Sequence, residues 1–354
     1  MPAKEKPVQN KIMLAVSGGI DSAVAIHLLQ ERGFTVFGVH FNFWHWETDR
    51  GKSEMDVLNS LEEIFGIDIL TVNYETEFKN IIVDQLISDQ KQGFTPNPCV
   101  RCNPFVKFRL LMDLADKEKI KNIATGHYAR VYYDSQSDRF LLKTAADKNK
   151  DQSYVLCYLT QEILSRSIFP LGDYTKQQIY KIGINLGLPI TEESESQDLC
   201  FVKPENYTKF LEENISSNIS GNICGLDGKV LGKHNGLHHY TIGQRKGIRI
   251  PAVEPYYVLR KIVATNTLIV GSKDDLDKII FEVDNVNWIT NKPSGTIAAD
   301  VKIRYRSNRF PAQIIAMDKG RYRIITEDPV RAITPGQYAV FYKDDIVIGG
   351  GRIL

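Results

Sequence analysis

The sequence predicts an α/β protein. A parallel sheet with helices on both faces comes first, then a small central β-rich domain, then a C-terminal β-barrel. Three observations carry this expectation. Up to about Thr125, short apolar runs alternate with helical periodicity, as in βαβ units. From about Gly221 onward no long helical pattern remains, and Gly, Asn and Asp turns separate short Val/Ile/Tyr runs, the pattern of small β domains and barrels. The length of 354 residues suits two or three domains of roughly 100–200 residues each.

Lys11–Val16 is the first strand, ending in Ser17-Gly18-Gly19. Asp21–Arg32 is a helix with Ala25, Leu28 and Leu29 on one face, and Gly33 stops it. Thr35–Phe41 and Ile67–Val72 are strands, separated by a helix over Ser53–Phe65 that Ser53 caps. Thr76–Gln92 and Pro104–Lys119 are helices, and Asn122–Thr125 is a buried strand. Thr95–Asn103 holds two prolines and two asparagines, which predicts a rigid loop and not regular structure. Arg130–Lys143 alternates as a hairpin turning at Asp134–Asp138, and Thr175–Leu186 is a helix ended by Gly187 and Pro189. The later strands fall at Lys229–Leu231, Tyr256–Lys261, Thr267–Val270, Thr296–Arg304, Ala312–Ala316, Tyr322–Thr326, Ala339–Tyr342 and Ile346–Ile348. Residues 1–10 are expected as a flexible tail, with domains over 11–203, 204–275 and 276–354.

Composition excludes several classes. Hydrophobic residues make up 43% and charged residues 25%, as in soluble globular proteins and unlike disordered chains. No apolar run approaches the ~18 residues of a membrane span, and Met1–Asn10 lacks a signal-peptide core. Five cysteines, an odd and low count, point to a reducing cytoplasm and not to a disulfide framework. Cys157 and Cys224 read as small buried hydrophobes.

Forty-four Lys and Arg balance 43 Asp and Glu. Taken as an average, that argues against a nucleic-acid partner. The balance is a cancellation between segments. Lys233–Lys261 holds six basic residues and one acid, whereas Glu192–Glu213 holds seven acids and two lysines. Lys302, Arg304, Arg306 and Arg309 add a second basic run, with Tyr240, Tyr256, Tyr257 and Tyr305 nearby in sequence. Basic residues interleaved with aromatics suit a structured or looped RNA; a solvated surface is the plainer alternative. His234, His238 and His239 lack partner ligands at matched spacing, and no metal role is expected for them.

Ala15-Val16-Ser17-Gly18-Gly19-Ile20-Asp21-Ser22 joins a strand, a glycine turn and a helix start. Glycines admit a ligand close to the backbone, and the unpaired N–H groups at the helix start favour an anion. No Lys follows the glycines, so this is not a Walker A loop. It resembles the PP-loop of ATP pyrophosphatases, which cut ATP between the α and β phosphates and adenylate a substrate oxygen. That resemblance implies that Ala15, Val16, Ser17, Gly18, Gly19, Ile20, Asp21 and Ser22 hold the pyrophosphate part of ATP, with Asp21 helping to hold Mg²⁺.

Cys99 and Cys102 form a CxxC pair. A zinc site needs four ligands and no second CxxC exists; the setting also differs from a thioredoxin-like pair. Arg101, Lys107 and Arg109 lie near in sequence and favour a thiolate at Cys102, the reactive form. Cys200 lies on a second segment, Ser194–Val202. Two loop cysteines in an ATP-activating domain point to sulfur chemistry, one carrying a persulfide and the other attacking it.

At this point the chain resembles the tRNA-specific 2-thiouridylases of the MnmA type. The resemblance runs from about Lys11 to the C-terminus. Its motifs are Ser17–Ser22, Thr95–Pro98 with Cys102-Asn103, Ala124–Arg130, Lys150–Tyr154, Gln197–Phe201, Thr241–Gly247, Arg304–Arg306 and Thr334–Gln337. It implies thiolation of the wobble uridine, U34, in the anticodon stem-loop of tRNA. It further implies Cys102 as nucleophile and Cys200 as persulfide carrier, fed by a sulfur-relay protein or cysteine desulfurase, with a Cys102–Cys200 disulfide in one step. Asn97, Pro98 and Cys99 would contact the target uridine, Phe41 and Gly126 would line the ATP site, and His127, Lys150, Asp151, Gln152, Arg304, Tyr305 and Gln337 would touch tRNA. Cys99 stands where some members have Asp, and Phe41–Trp44 departs from the usual Met-containing stretch. Three cysteines, Cys99, Cys102 and Cys200, also suit an iron–sulfur cluster. The rival functions are another PP-loop ligase or amidotransferase acting on a small molecule, and a nucleotide-gated tRNA-binding protein.

Overall fold

A computed structural model of the protein describes residues 10–45, 51–188, 199–215 and 219–354. The expected tail up to residue 9 and the stretch Ser194–Asp198 ahead of Cys200 lie outside the described residues. The chain forms two compact units, one of Met1–Phe78 with Cys102–Gln197, the other of Lys79–Arg101 with Asp198–Leu354. Among the described residues, no helix is long and apolar enough to cross a membrane.

The chain opens with β1 (Lys11–Ala15), α1 (Ile20–Glu31), β2 (Thr35–Asn42), α2 (Gly51–Phe65) and β3 (Ile69–Asn73). A helical run comes next as α3 (Glu75–Phe78) and α4 (Asp84–Lys91), joined by a π turn at Lys79–Val83. A second run begins at α5 (Pro98–Cys102), passes a π turn at Asn103–Lys107 and continues as α6 (Phe108–Lys117). Then come β4 (Asn122–Thr125), the hairpin β5 (Ala129–Asp134) and β6 (Arg139–Thr144), α7 (Gln161–Arg166), β7 (Ser167–Ile168) and α8 (Lys176–Asn185).

In the first unit the strands order as β3-β2-β1-β4-β7, every neighbour parallel. The order reverses at β1, so the loops after β1 and β4 open at the carboxyl ends of adjacent strands. That switch point is where open α/β sheets bind ligands. Ile12 and Leu14 of β1 pack with Ile20, Val24, Ile26 and Leu29 of α1 in one buried cluster. Burial on most sides of α1 fixes where its first turn points.

The second unit adds α9 (Tyr207–Asn214), then β8 (Gly221–Cys224), β9 (Val230–His234), β10 (Tyr257–Ile262) and β11 (Thr267–Gly271). These four strands order as β10-β11-β8-β9, with only β11 and β8 parallel. The C-terminal strands are β12 (Asp277–Trp288), β13 (Ile297–Lys302), β14 (Phe310–Ala316), β15 (Tyr322–Arg331), β16 (Tyr338–Lys343) and β17 (Ile346–Ile353). They run antiparallel as β12-β15-β14-β13-β16-β17, and β12 pairs again with β17. That last pairing closes a six-stranded barrel around Val283, Val301, Ile324 and Phe341, and closure removes the exposed edges of an open sheet.

Three differences from the sequence expectation have physical causes. Pro98–Cys102 is helical, not loop. Proline suits the first helical position, and the Asn97 side chain accepts from the Cys99 N–H at 3.2 Å, so the Pro/Asn cluster is a helix start. The expected helix over Thr76–Gln92 is interrupted by its π turn. The strand β12 is absent from the expected set because its period of two is broken by register shifts at Lys278/Ile280 and Asp284/Asn287, with Asn285 at φ 49°. Bulges of this kind turn successive side chains off the alternating pattern.

Candidate active site

The loop after β1 is a glycine turn that leads into an uncapped helix start. Gly18 has φ 76°, a conformation that glycine adopts without the Cβ penalty of other residues. Gly19 is the N-cap of α1 and offers no side-chain cap, which leaves first-turn N–H groups for a ligand. Ser22 Oγ donates to the Gly19 carbonyl at 2.8 Å and accepts from the Ser17 N–H at 3.2 Å. These bonds lock the turn. From β2, His40 Nδ1 donates to the Val16 carbonyl at 3.0 Å, and the Val16 N–H bonds the Val39 carbonyl at 2.8 Å. Ala15 ends β1 and Ile20 starts α1, so the eight residues predicted for phosphate lie together.

The end of β4 meets this loop. A Cβ on Gly126 would stand 3.4 Å from the Ser22 nitrogen, so glycine there lets the two backbones approach. Tyr128 Oη donates to Asp21 Oδ1 at 2.7 Å, and Lys176 Nζ reaches the same oxygen at 2.7 Å. Lys176 is only 7% exposed and lies over the Tyr180 ring at 4.8 Å. Sequence reasoning missed Lys176. Thr175-x-x-Gln178 is a capping box, a motif readable in sequence that marks Lys176 as the first residue of α8.

The donor sets bear on the cofactors that the family resemblance implies. Mg²⁺ is commonly bound through one or two carboxylates plus substrate phosphates. Asp21, partly exposed at the phosphate loop, fits that limited part. Among the described residues, no three His, Cys, Asp or Glu side chains converge as a metal site.

Phe41 is buried at the end of β2, stacked on Phe43 with centroids 5.6 Å apart. His127 is buried beside Phe108, at 5.9 Å between rings, and its Nδ1 shares a 2.7 Å hydrogen bond with Thr125 Oγ1. Burial, reinforced by the positive charge of Lys107, holds its pKa well below the ordinary histidine value. Asp151 is buried and accepts from the N–H groups of Ala145 and Ser153 and from the Ser153 hydroxyl. Gln152 Oε1 accepts from the Tyr128 N–H at 2.9 Å. Both residues thus shape the segment that carries the half-buried Lys150.

Cys102 is buried at the end of α5 and belongs to the first unit. The next residue, Asn103, donates through Nδ2 to the Val155 carbonyl at 3.0 Å. Cys99 is half-buried one turn earlier, and Cys200 is exposed in the second unit. Cys157 and Cys224 are buried, and burial pushes the Cys157 thiol far up, away from thiolate chemistry.

In the second unit, Arg304 is exposed and reaches the Arg331 carbonyl at 3.2 Å, while Lys302 lies over the Tyr305 ring at 5.6 Å. Lys233, Arg245, Lys246, Arg249 and Arg260 are exposed on the central domain. Gln337 is half-buried, and its Nε2 donates to the Thr95 carbonyl at 2.7 Å.

A glycine loop and free helix start at the switch point of a parallel sheet, with two β domains after it, define the class: a nucleotide-site α/β domain of the PP-loop kind carrying two β modules. Residues 10–204 match the tRNA methyl transferase HUP domain, residues 208–272 the tRNA methyl transferase PRC-barrel domain, and residues 278–353 the aminomethyltransferase beta-barrel domain. The tRNA-specific 2-thiouridylase MnmA of Geotalea uraniireducens (strain Rf4) is 40% identical over 357 residues, covering 98% of this chain and 95% of its own. The protein of the same name from Trichodesmium erythraeum (strain IMS101) is 42% identical over 361 residues, covering 97% of this chain and 99% of its own. The solved U34-tRNA thiolase NcsA from Methanococcus maripaludis, with its [4Fe-4S] cluster, is 20% identical at a TM-score of 0.36, over 58% of this chain and 67% of that one. The chain belongs to the MnmA family of tRNA-specific 2-thiouridylases.

Proposed function

We infer that the protein is an ATP-dependent tRNA sulfurtransferase of the cytoplasm that converts the wobble uridine, U34, to 2-thiouridine. The observation that carries this reading is the glycine turn and uncapped helix start at the switch point, in a chain whose cysteine segment starts a helix with Asn97 as cap. O2 of the uridine attacks the α-phosphorus of ATP, and pyrophosphate leaves. The backbone N–H groups of the Gly18–Ser22 turn stabilise the charge on the departing pyrophosphate, as oriented donors do at a developing anion. Asp21 would hold Mg²⁺ together with the phosphates, and the ion would supply further charge neutralisation. Lys176 keeps a buried cation beside Asp21 and steadies the same charge.

The terminal sulfur of a Cys200 persulfide then attacks C2, and AMP leaves. The Cys102 thiolate attacks the Cys200 sulfur, forming a Cys102–Cys200 disulfide and freeing 2-thiouridine. An equivalent order has Cys102 release hydrosulfide first, which then attacks C2. Either way an external thiol reductant reopens the disulfide. A sulfur-relay protein or cysteine desulfurase reloads Cys200. Asn97, Pro98 and Cys99 face the uridine, and the exposed basic residues of the central domain, with Arg304 and Tyr305, hold the tRNA backbone. The domains of this reading are 11–203, 204–275 and 276–354.

The test is mass spectrometry of tRNA after incubation with ATP and a persulfide source. Cys102→Ser and Cys200→Ser should each abolish 2-thiouridine and leave the melting temperature within a few degrees of the parent. Near-normal thiolation in either variant would sink the mechanism.

A further inference from the structure

The segment Asp89–Thr95 is gripped by residues that lie far ahead in the sequence. The Thr95 N–H donates to the Pro335 carbonyl at 2.9 Å, and its carbonyl accepts from Gln337 Nε2 at 2.7 Å. Both backbone groups of one residue are thus tied to one turn. The Arg352 guanidinium lies over the Phe94 ring at 4.3 Å and bonds Asp89 Oδ1 at 3.1 Å. Lys261 Nζ approaches the Phe94 carbonyl at 3.4 Å. Gly336 has φ 92°, and a Cβ there would stand 2.8 Å from the Phe94 Cβ. Thr95 Oγ1 is buried with no partner among the described residues, so the hold on Thr95 runs through its backbone.

The chain beyond Thr95 is stiff. Pro96 and Pro98 have fixed φ, Asn97 is restricted by the proline after it, and its side chain caps the Cys99 N–H. A displacement at Thr95 therefore reaches Asn97 and Cys99 with little absorbed between. We propose that Gln337 and Arg352 are positioning residues for the 95–99 segment: the C-terminal barrel sets where Asn97 and Cys99 present themselves to the uridine. This rests on the proposed function, in which Asn97 and Cys99 face the target base. It gives Gln337 and Arg352 a task in the rate of the reaction.

Hydrogen exchange of the full-length protein tests the grip without any need for activity. A peptide covering 93–99 contains two prolines, which have no N–H, so its exchange reports few amides, Thr95 among them. Gln337→Ala and Gln337→Glu remove the donor to Thr95; Arg352→Leu removes the ring contact and ion pair, and Arg352→Lys keeps the charge. Gln337→Ala, Gln337→Glu and Arg352→Leu should speed exchange in this peptide about tenfold, with Arg352→Lys closer to the parent. Single-turnover thiolation should fall about tenfold or more in the same three variants, while in Arg352→Leu Kd for tRNA stays within about threefold. Unchanged exchange overturns the grip. Faster exchange with a normal thiolation rate overturns the positioning role, as does a Kd in Arg352→Leu that weakens as much as the rate falls. If the parent protein forms no 2-thiouridine, the activity reading fails, and the exchange result still decides whether the grip exists.

Discussion

The phosphate loop and the cysteine segment are both short turns that start helices, yet they are held in place by opposite means. The phosphate loop is fixed by its own neighbourhood. Ser22 bonds Gly19 and Ser17 within five residues, and the flanking strand and helix are buried in one cluster. The cysteine segment has a local cap at Asn97, but its approach is fixed by Pro335, Gln337 and Arg352, more than 230 residues away. A turn between a buried strand and a buried helix carries its own scaffold. A turn after a helix interrupted by a π turn borrows one.

The largest expected effect would break the local side of this comparison. Gly18→Val forces a β-branched residue to φ 76°, and pyrophosphate release in the presence of tRNA should fall by about 100-fold or more. A fall of less than about tenfold would show that the turn does not cradle the phosphates in its present form. Next in size is Lys176→Met. It strips the buried cation from Asp21 while keeping much of the side-chain bulk, and the same assay should lose about tenfold or more. Lys176→Arg should recover part of it.

Acid sharpens the contrast by acting on both units at once. His127 in the first unit, and His234 and His238 in the second, have pKa values lowered chiefly by burial, His238 to about 4. A folded pKa below the unfolded one means that the unfolded chain binds the extra proton between the two values. Stability therefore falls as pH drops below about 6.5, by up to about 1.4 kcal/mol per pH unit for each histidine still neutral in the fold. Denaturant melts between pH 7 and 5 should show the slope, and His127→Gln should remove its share; an unchanged slope would refute the assignment.

The smallest expected effect concerns Lys261 under the cysteine segment. Burial pushes its ammonium down to about 8. Between that value and the ordinary lysine range of about 10.4, the unfolded chain binds the extra proton, so stability rises with pH through this window. Lys261→Met should flatten that rise in melts at pH 8 to 10. A rise that survives the substitution belongs to another group.

Legibility in the sequence divides along the same line. Strands and helices of the first unit are readable because their apolar runs match their burial, as in Lys11–Ala15 and Ile20–Glu31. The glycine turn after β1 is readable because its requirement is local and stereochemical. Helix character at Cys99 and Cys102 is masked by the Pro/Asn content, although Pro at the first helical position behind an Asn cap is a start signal. The strand β12 is hidden by its bulges. Lys176 beside Asp21 is separated from it by 155 residues, and no short motif joins them.

Sequence alone determined the α/β class, the glycine turn after the first strand, the order of the three sequence regions and the positions of the cysteines. Each depends on a local period, a φ preference or a residue's place in the chain. Only the tertiary structure decided that Lys176 pairs with Asp21, that His127 is buried among rings, and that Gln337 meets the Thr95 backbone. Those facts depend on groups brought together across long stretches of chain, and their distances and burial exist only once the sheet and barrel have closed.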